Sequence, residues 1–113
     1  MVGMDDPRID QTGRTDELSD CVLRIASRQD EAAFETLFRH FAPRLKSYFA
    51  RLGGDPAMAE EITQEAMVAV WKNAGQFDPA KASAATWIFT IARNLGVDRF
   101  RRAARGDEGR MLP

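Results

Sequence analysis

The stretch DEAAFETLFRHFAPRLKSYFARLGGDP, residues 30–56, decides the fold because it carries the longest apolar stripe of the chain. Asp30 can cap a helix, and the apolar residues after it recur at steps of three and four, the spacing of one helix face. Gly53 and Gly54 are typical of a helix end. We expect this helix to supply most of the core. Its apolar face consists of Phe34, Leu37, Phe38, Phe41, Leu45, Tyr48, Phe49 and Leu52.

A proline interrupts this stripe. Pro43 removes one backbone donor from the helix interior, which favours a bend or a break near residues 40–42. Because the stripe continues beyond the proline, we predict a single second helix bent at Pro43 rather than two unrelated helices.

The flanking sequence predicts three further helices and no strands. The first is expected at about residues 15–27, the third from the Asp-Pro pair at 55–56 to about residue 74, and the fourth from a cap at Ser83 to about residue 104. The fold class is therefore all-α, a compact bundle of about four helices over residues 15–105. Residues 1–14 and 106–113 are expected to be disordered, the latter as a tail or the start of a linker.

Composition limits the class of protein. The 113 residues, 44% hydrophobic and 29% charged, fit one soluble packed domain. No apolar run approaches the roughly 20 residues that a membrane span needs, and the acidic start lacks the form of a signal peptide. We therefore expect a cytoplasmic protein without membrane association.

Reactive and metal-binding residues are scarce. Cys21 is the only cysteine and His40 the only histidine, so the sequence predicts neither an internal disulfide nor a zinc site. Cys21 lies on an apolar stripe beside Val22 and is expected in the core. There is no Gly-rich phosphate loop and no His-based nucleophile pair. We expect no enzymatic activity, no cofactor and no metal.

The third helix has a second face beyond the one that packs in the bundle. It mixes acidic and amide groups with large apolar side chains, as the centre of a protein interface does. The alternative is that the apolar groups pack against the first helix and the acids only solvate the surface; the pattern does not separate the two. The face consists of Glu61, Gln64, Glu65, Met67, Val68 and Trp71.

The fourth helix carries a polar, basic outer face bordered by aromatic residues. Arginines can neutralise phosphates, Thr and Asn can contact base edges, and aromatic rings can stack on unpaired bases, so the pattern indicates nucleic acid. The alternative is that the aromatics complete the core and the arginines form a solvated last turn. Together the two helices predict electrically different ends of the molecule. The outer face contains Thr86, Thr90, Arg93, Asn94, Val97 and Arg101, bordered by Trp87, Phe89 and Phe100.

Residues 59–102 read AEEITQEAMVAVWKNAGQFDPAKASAATWIFTIARNLGVDRFRR. This order closely resembles conserved region two of bacterial sigma factors, specifically the short extracytoplasmic-function group, with ITQEA, FDP, TW, IARN and DRFRR in sequence at matching spacings. The resemblance extends over about residues 30–105. It implies a transcription initiation domain that binds core RNA polymerase, recognises and melts the promoter minus-ten element and is held inactive by an anti-sigma protein.

The resemblance also implies roles for particular residues. The third-helix face corresponds to the docking surface for the clamp coiled coil of the largest polymerase subunit. Trp87 corresponds to an aromatic near the upstream edge of the melted bubble, and Asn94 to a position that reads duplex there. Ile88 stands where the housekeeping group has a second aromatic. The loop that captures a flipped base corresponds to Lys81, Ala82, Ser83 and Ala84.

Two other functions remain open, a helix-turn-helix regulator of duplex DNA and a protein-interaction module. The loop of about ten residues before the fourth helix is long for a helix-turn-helix turn. The sigma family normally adds a second helical domain that binds the minus-thirty-five element, for which too few residues follow Arg105. We therefore expect an isolated domain that binds polymerase weakly.

Overall fold

The computed structural model describes residues 14–105, which form four α-helices and no strand within that range. They are α1 (Arg14–Arg28), α2 (Glu31–Arg51), α3 (Pro56–Asn73) and α4 (Ala84–Ala104), with a 3-10 turn at Ala74–Gln76. The predicted all-α bundle is confirmed. The predicted disorder of residues 1–14 and 106–113 lies outside the described residues, apart from Arg14, with which α1 begins.

Side-chain caps set the starts of three helices, as the sequence predicts. Asp30, Asp55 and Ser83 each accept a hydrogen bond from the backbone amide three residues later, at 3.1, 2.8 and 3.1 Å. These bonds satisfy amides that have no partner within the helix. At the other end of α2, Gly53 has a φ of +106°, a conformation that residues with a side chain rarely adopt. Capping chemistry thus determines where the chain turns.

The second helix is continuous through Pro43, so the break considered from the sequence is absent. Pro43 is exposed, and the backbone donor it lacks is missing on the solvent side of the helix. On the opposite side Phe41 and Leu45 flank the proline position and are both buried. Packing on either side of the proline therefore holds α2 as one element.

The core lies where α2 packs against α1, α3 and α4. Two residues of the predicted α2 stripe do not reach it, because Phe38 and Leu52 remain 37% and 47% exposed. Leu52 is the C-cap of α2, beyond the last residue that faces the bundle. The largest fully buried side chains are Val22, Leu37, Phe41, Leu45, Phe49, Ile62, Met67, Val70 and Ile88.

A glycine permits close packing between α2 and α4. Gly96 is buried, and a Cβ atom at this position would lie 2.8 Å from Cε1 of Phe49. That distance is shorter than any ordinary carbon–carbon contact, so the Phe49 ring occupies the space that a side chain would need. The close approach positions the outer face of α4 relative to α2.

Candidate functional surfaces on the third and fourth helices

The exposed side of α3 carries Glu61, Gln64, Glu65 and Val68, which we call the acidic surface. Val68 is 49% exposed although it is apolar. The Gln64 amide donates a hydrogen bond to the Glu60 carboxylate at 3.0 Å, one turn earlier on the same helix. An apolar side chain one turn from a carboxylate and an amide is suited to contact a basic protein surface.

Met67, predicted from the sequence to lie on this surface, is only 1% exposed, so that prediction is wrong. One residue along an α-helix is a rotation of about 100°, so Met67 points into the core while Val68 points outward. Trp71 is half-buried, with its ring 5.3 Å from that of Phe34 in an edge-on arrangement. It packs against α2, whereas the alternative considered above placed it against the first helix.

The outer face of α4 carries five exposed polar or charged residues, which we call the basic surface: Thr86, Thr90, Arg93, Asn94 and Arg101. The Thr90 hydroxyl donates to the Thr86 carbonyl at 2.8 Å, so its oxygen lies close to the helix backbone. Within the described residues, Arg93 and Arg101 form no ion pair. Their positive charge is available to an external anion.

The aromatic residues predicted to border the basic surface are partly committed to the fold. The Trp87 ring is half-buried, and its centroid lies 5.2 Å from that of Phe77, a buried residue of the loop before α4. Phe89 packs edge-on against Tyr48, with ring centroids 5.7 Å apart. Phe100 also packs against the core cluster. Most of this aromatic surface therefore stabilises the bundle, and the exposed remainders of Trp87 and Phe89 face solvent.

The loop before α4 brings Lys81, Ala82 and Ser83 to the surface but not Ala84. Lys81 is exposed and the next two residues are half-buried. Ala84 is fully buried, so its assignment to a base-binding pocket was wrong, because the first turn of α4 presents it to the core. Besides capping α4, Ser83 donates a hydrogen bond to the Thr86 hydroxyl at 3.1 Å.

Arg99 connects the acidic surface of α3 to α4, although it was not among the site residues predicted from the sequence. Its guanidinium donates to Glu61 at 2.7 Å and to Glu65 at 3.2 Å, while the Arg99 side chain is only 15% exposed. The two electrically different regions predicted from the sequence therefore meet here, since a basic side chain of α4 lies on the acids of α3. A single arginine among several in DRFRR gives no sequence signal for this contact.

Three titratable groups have shifted pKa values: Glu60, Cys21 and Arg24, whose pKa is raised because its guanidinium donates a hydrogen bond to the Asp20 carboxylate. Hydrogen bonds from the Lys46 ammonium and the Gln64 amide lower the pKa of the Glu60 carboxyl, and the Lys46 ammonium lies 2.8 Å from it. Burial raises the pKa of the Cys21 thiol, which keeps it protonated.

Among residues 14–105, no group of three or more His, Cys, Asp or Glu side chains is placed to hold a metal ion. In the same range no helix is both long and apolar enough to span a bilayer.

Comparison with known proteins identifies relatives over most of the chain. Residues 37–106 match the family model of sigma-70 region 2. The sigma factor RpoE of Cereibacter sphaeroides, of the extracytoplasmic-function group, is 46% identical over 93 residues, covering 82% of this chain and 51% of the relative. SigK of Mycobacterium bovis, of the same group, is 38% identical over 89 residues, covering 79% and 48%. The chain thus spans about half the length of these relatives.

A solved structure agrees with the sequence relatives. Rhodobacter sphaeroides SigE, crystallised in complex with the anti-sigma ChrR, superposes with a TM-score of 0.68 at 46% identity, over 72% of this chain and 49% of SigE. The chain belongs to the sigma-70 region 2 family and is a sigma factor domain of the extracytoplasmic-function group.

Proposed function

We propose that this domain acts in transcription initiation by docking on core RNA polymerase through the acidic surface and by holding the opened minus-ten element on the basic surface. One observation carries the proposal. Glu61, Gln64, Glu65 and Val68 on α3, and Thr90, Arg93, Asn94 and Arg101 on α4, all remain exposed after the bundle is packed.

The acidic surface supports docking on a basic partner, the clamp coiled coil of the largest polymerase subunit. Glu61 and Glu65 remain 61% and 48% exposed even though Arg99 contacts both. Val68 follows Glu65 by three residues, about one turn further along the same face, and provides apolar area. Charges set orientation in such an interface, and the apolar centre contributes most of the affinity. Met67 acts only through the core, which holds the outer face of α3 in place.

The basic surface supports binding of the minus-ten element as a partly single strand. Arg93 and Arg101 are suited to phosphates, Asn94 to a base edge, and the half-exposed Trp87 ring to stacking. Binding free energy for the open strand would drive melting without nucleotide hydrolysis, since a stacked base contributes about 1–3 kcal/mol. Lys81, Ala82 and Ser83 form the surface where a flipped base would be captured.

An anti-sigma protein is the proposed regulator. The related SigE crystallised with such a partner, and a protein that covers the acidic and basic surfaces would block polymerase and promoter together. The exposed, oppositely charged surfaces of α3 and α4 offer that partner electrostatic complementarity on both sides.

Retention on immobilised core RNA polymerase from Cereibacter sphaeroides tests the docking assignment. The double variant Gln64→Ala with Glu65→Lys should be retained much less than wild type. Glu35→Lys is the control, because Glu35 is also exposed and also bridged to an arginine, but on α2. Thermal unfolding of each variant verifies the fold. Equal retention of the wild type and the double variant would remove the docking assignment.

Binding to a random-sequence pool of single strands of about 16 nucleotides, compared with the same pool as duplex, tests the DNA assignment. The wild type should prefer the single strand, and Arg93→Gln with Arg101→Gln should weaken this binding. A preference for duplex would favour the helix-turn-helix function instead. No binding to either form would leave only the protein-interaction function.

A further inference from the structure

Most of α2, from residue 36 to its end, has an unusual charge composition. From residue 36 to residue 51 it contains Arg39, Arg44, Lys46 and Arg51 but no Asp or Glu. Arg39 pairs with Glu35 at 3.1 Å, and Lys46 pairs with Glu60 of α3 at 2.8 Å. Within the described part of the chain, the other two arginines form no ion pair. Two guanidinium charges on this helix are therefore not neutralised by the fold.

Those two arginines line one groove. A groove of about 430 Å³ lies between α2 and α4, in the size range of about 300–1,000 Å³ that is usual for small-molecule sites. Arg44 and Arg51 lie two turns apart on α2, and Phe89 of α4 forms the opposite wall. No carboxylate lines it. The complete lining is Pro43, Arg44, Ser47, Arg51 and Phe89.

The groove adjoins the basic surface. Arg93 follows Phe89 by one helical turn, so it lies on the same side of α4 as the groove wall. The guanidinium of Arg44 donates to the His40 carbonyl, which anchors that side chain along α2 and leaves further N–H groups for an anion. A strand bound on α4 at Arg93 would therefore meet a second pair of cations on α2.

We propose that this groove binds the sugar-phosphate backbone of single-stranded DNA that continues from the basic surface, with Arg44 and Arg51 on the phosphates. The inference rests on the proposed function and extends its DNA site to a second helix. Charge complementarity favours a polyanion, since the lining has two cations and no acid. The half-exposed Phe89 ring provides an apolar wall for a sugar or an unpaired base. A duplex keeps its bases stacked inside and would not place one against this ring.

The test uses the full chain and the single-stranded pool described above, over a series of salt concentrations. Each phosphate contact on a single strand contributes about 0.7 to the slope of log affinity against log salt. Arg44→Gln with Arg51→Gln should lower the magnitude of that slope by about 1.4 and weaken binding about 10- to 25-fold at about 0.1 M salt. Arg44→Lys with Arg51→Lys keeps the positive charge and should retain most of the salt slope and most of the affinity.

A matched control separates the groove from general charge. Arg28→Gln with Arg39→Gln also removes two positive charges, but these arginines contact Asp30 and Glu35 and do not line the groove. This variant should bind with nearly the wild-type slope. If the two double variants lose the same affinity for the single strand, net charge explains the effect and the groove proposal is wrong.

The remaining outcomes distinguish the two proposals. If Arg93→Gln with Arg101→Gln weakens single-strand binding while the Arg44 and Arg51 variant binds like wild type, the groove is overturned and the α4 surface stands. If the wild type does not bind the single strand, both proposals fail. If the Arg44 and Arg51 variant loses only duplex binding, the assignment of the groove to an opened strand is wrong.

Discussion

The guanidinium of Arg99 in α4 lies 2.7 Å from the carboxylate of Glu61 in α3, and the same guanidinium reaches Glu65 at 3.2 Å. A planar guanidinium can contact two carboxylates at once because its donors point in fixed directions. The acids lie one turn apart, so Arg99 fixes the orientation of both relative to α4. The surface proposed for polymerase and the helix proposed for DNA thus share one contact.

Replacement of Arg99 should therefore loosen α4 on α3. Arg99→Ala removes a largely buried side chain and its contacts with two exposed acids, so the free energy of unfolding should fall by about 1–2 kcal/mol. Urea unfolding monitored by circular dichroism measures this. Arg101→Ala, on the exposed face of the same helix, should change it by less than about 0.5 kcal/mol. Equal effects of the two substitutions would show that the Arg99 contacts do not stabilise the bundle.

Met67 and Val68 are neighbours in sequence with different expected roles. Met67→Ala removes a buried side chain and should lower the free energy of unfolding by about 2–5 kcal/mol. Val68→Ala should change it by less than about 0.5 kcal/mol, because Val68 is half-exposed, but should weaken retention on core polymerase. Unfolding and retention assays on both variants check this. A stable Met67→Ala protein with poor retention would restore Met67 to the docking surface.

The sequence predicts the helices well because their signals are local. Asp30, Asp55 and Ser83 are recognisable as caps without knowledge of the neighbouring elements, and all three cap in the structure. Periodicity also identifies two sides on α3 and α4. It does not show how far a neighbouring helix covers each side. This is why Met67 was assigned to a surface although the core buries it. Ala84 was assigned to the base-capturing loop by the family resemblance, which does not show burial either.

Long-range contacts are the part that the sequence could not supply. Arg99 follows the acids of α3 by more than thirty positions, with a loop between, and nothing in the local pattern distinguishes it from Arg101 or Arg102. The continuity of α2, by contrast, was predicted from the apolar stripe that crosses Pro43, and the buried Phe41 and Leu45 explain why it holds. The basic part of α2, residues 36–51, is visible in the sequence as a run without acids, but the groove beside it exists only because α4 packs there.

The contact of Gly96 with Phe49 predicts a sharp cost for a small change. Gly96→Ala would place a Cβ 2.8 Å from the ring, and overpacking of this kind costs about 1–3 kcal/mol, offset by about 1 kcal/mol of helix propensity. We therefore expect net destabilisation in urea unfolding. Gly75→Ala is the control, because a Cβ there meets nothing within 4 Å. A Gly96→Ala protein as stable as wild type would mean that Phe49 can move aside without cost.

The Lys46–Glu60 pair predicts a pH dependence. The pKa of Glu60 is lowered in the folded protein, so the pair stabilises the fold above the unfolded pKa, near 4.3, and this contribution is lost as pH falls through the folded pKa. Lys46→Met should therefore have a slightly lower urea midpoint than wild type at neutral pH, and the two should converge below about pH 4. Lys72→Met, which removes a lysine without an ion pair in residues 14–105, should show no such convergence. A difference that stays constant down to acid pH would contradict the assignment.

Ser83 combines a structural role with a proposed contact to DNA, and two substitutions separate them. Ser83→Ala removes the cap of α4 and should lower the free energy of unfolding by about 1 kcal/mol. Ser83→Asp keeps a capping oxygen, so its stability should match wild type, but the added negative charge should weaken binding of the single-stranded pool because it repels phosphates. If Ser83 lies beside DNA, Ser83→Ala should be the less stable variant in urea unfolding, and Ser83→Asp should be the weaker binder in a DNA titration. Because Asp also caps α4, the substitution leaves the helix in place and changes only the local charge. A Ser83→Asp protein that binds DNA as tightly as wild type would therefore show that the strand does not pass the start of α4.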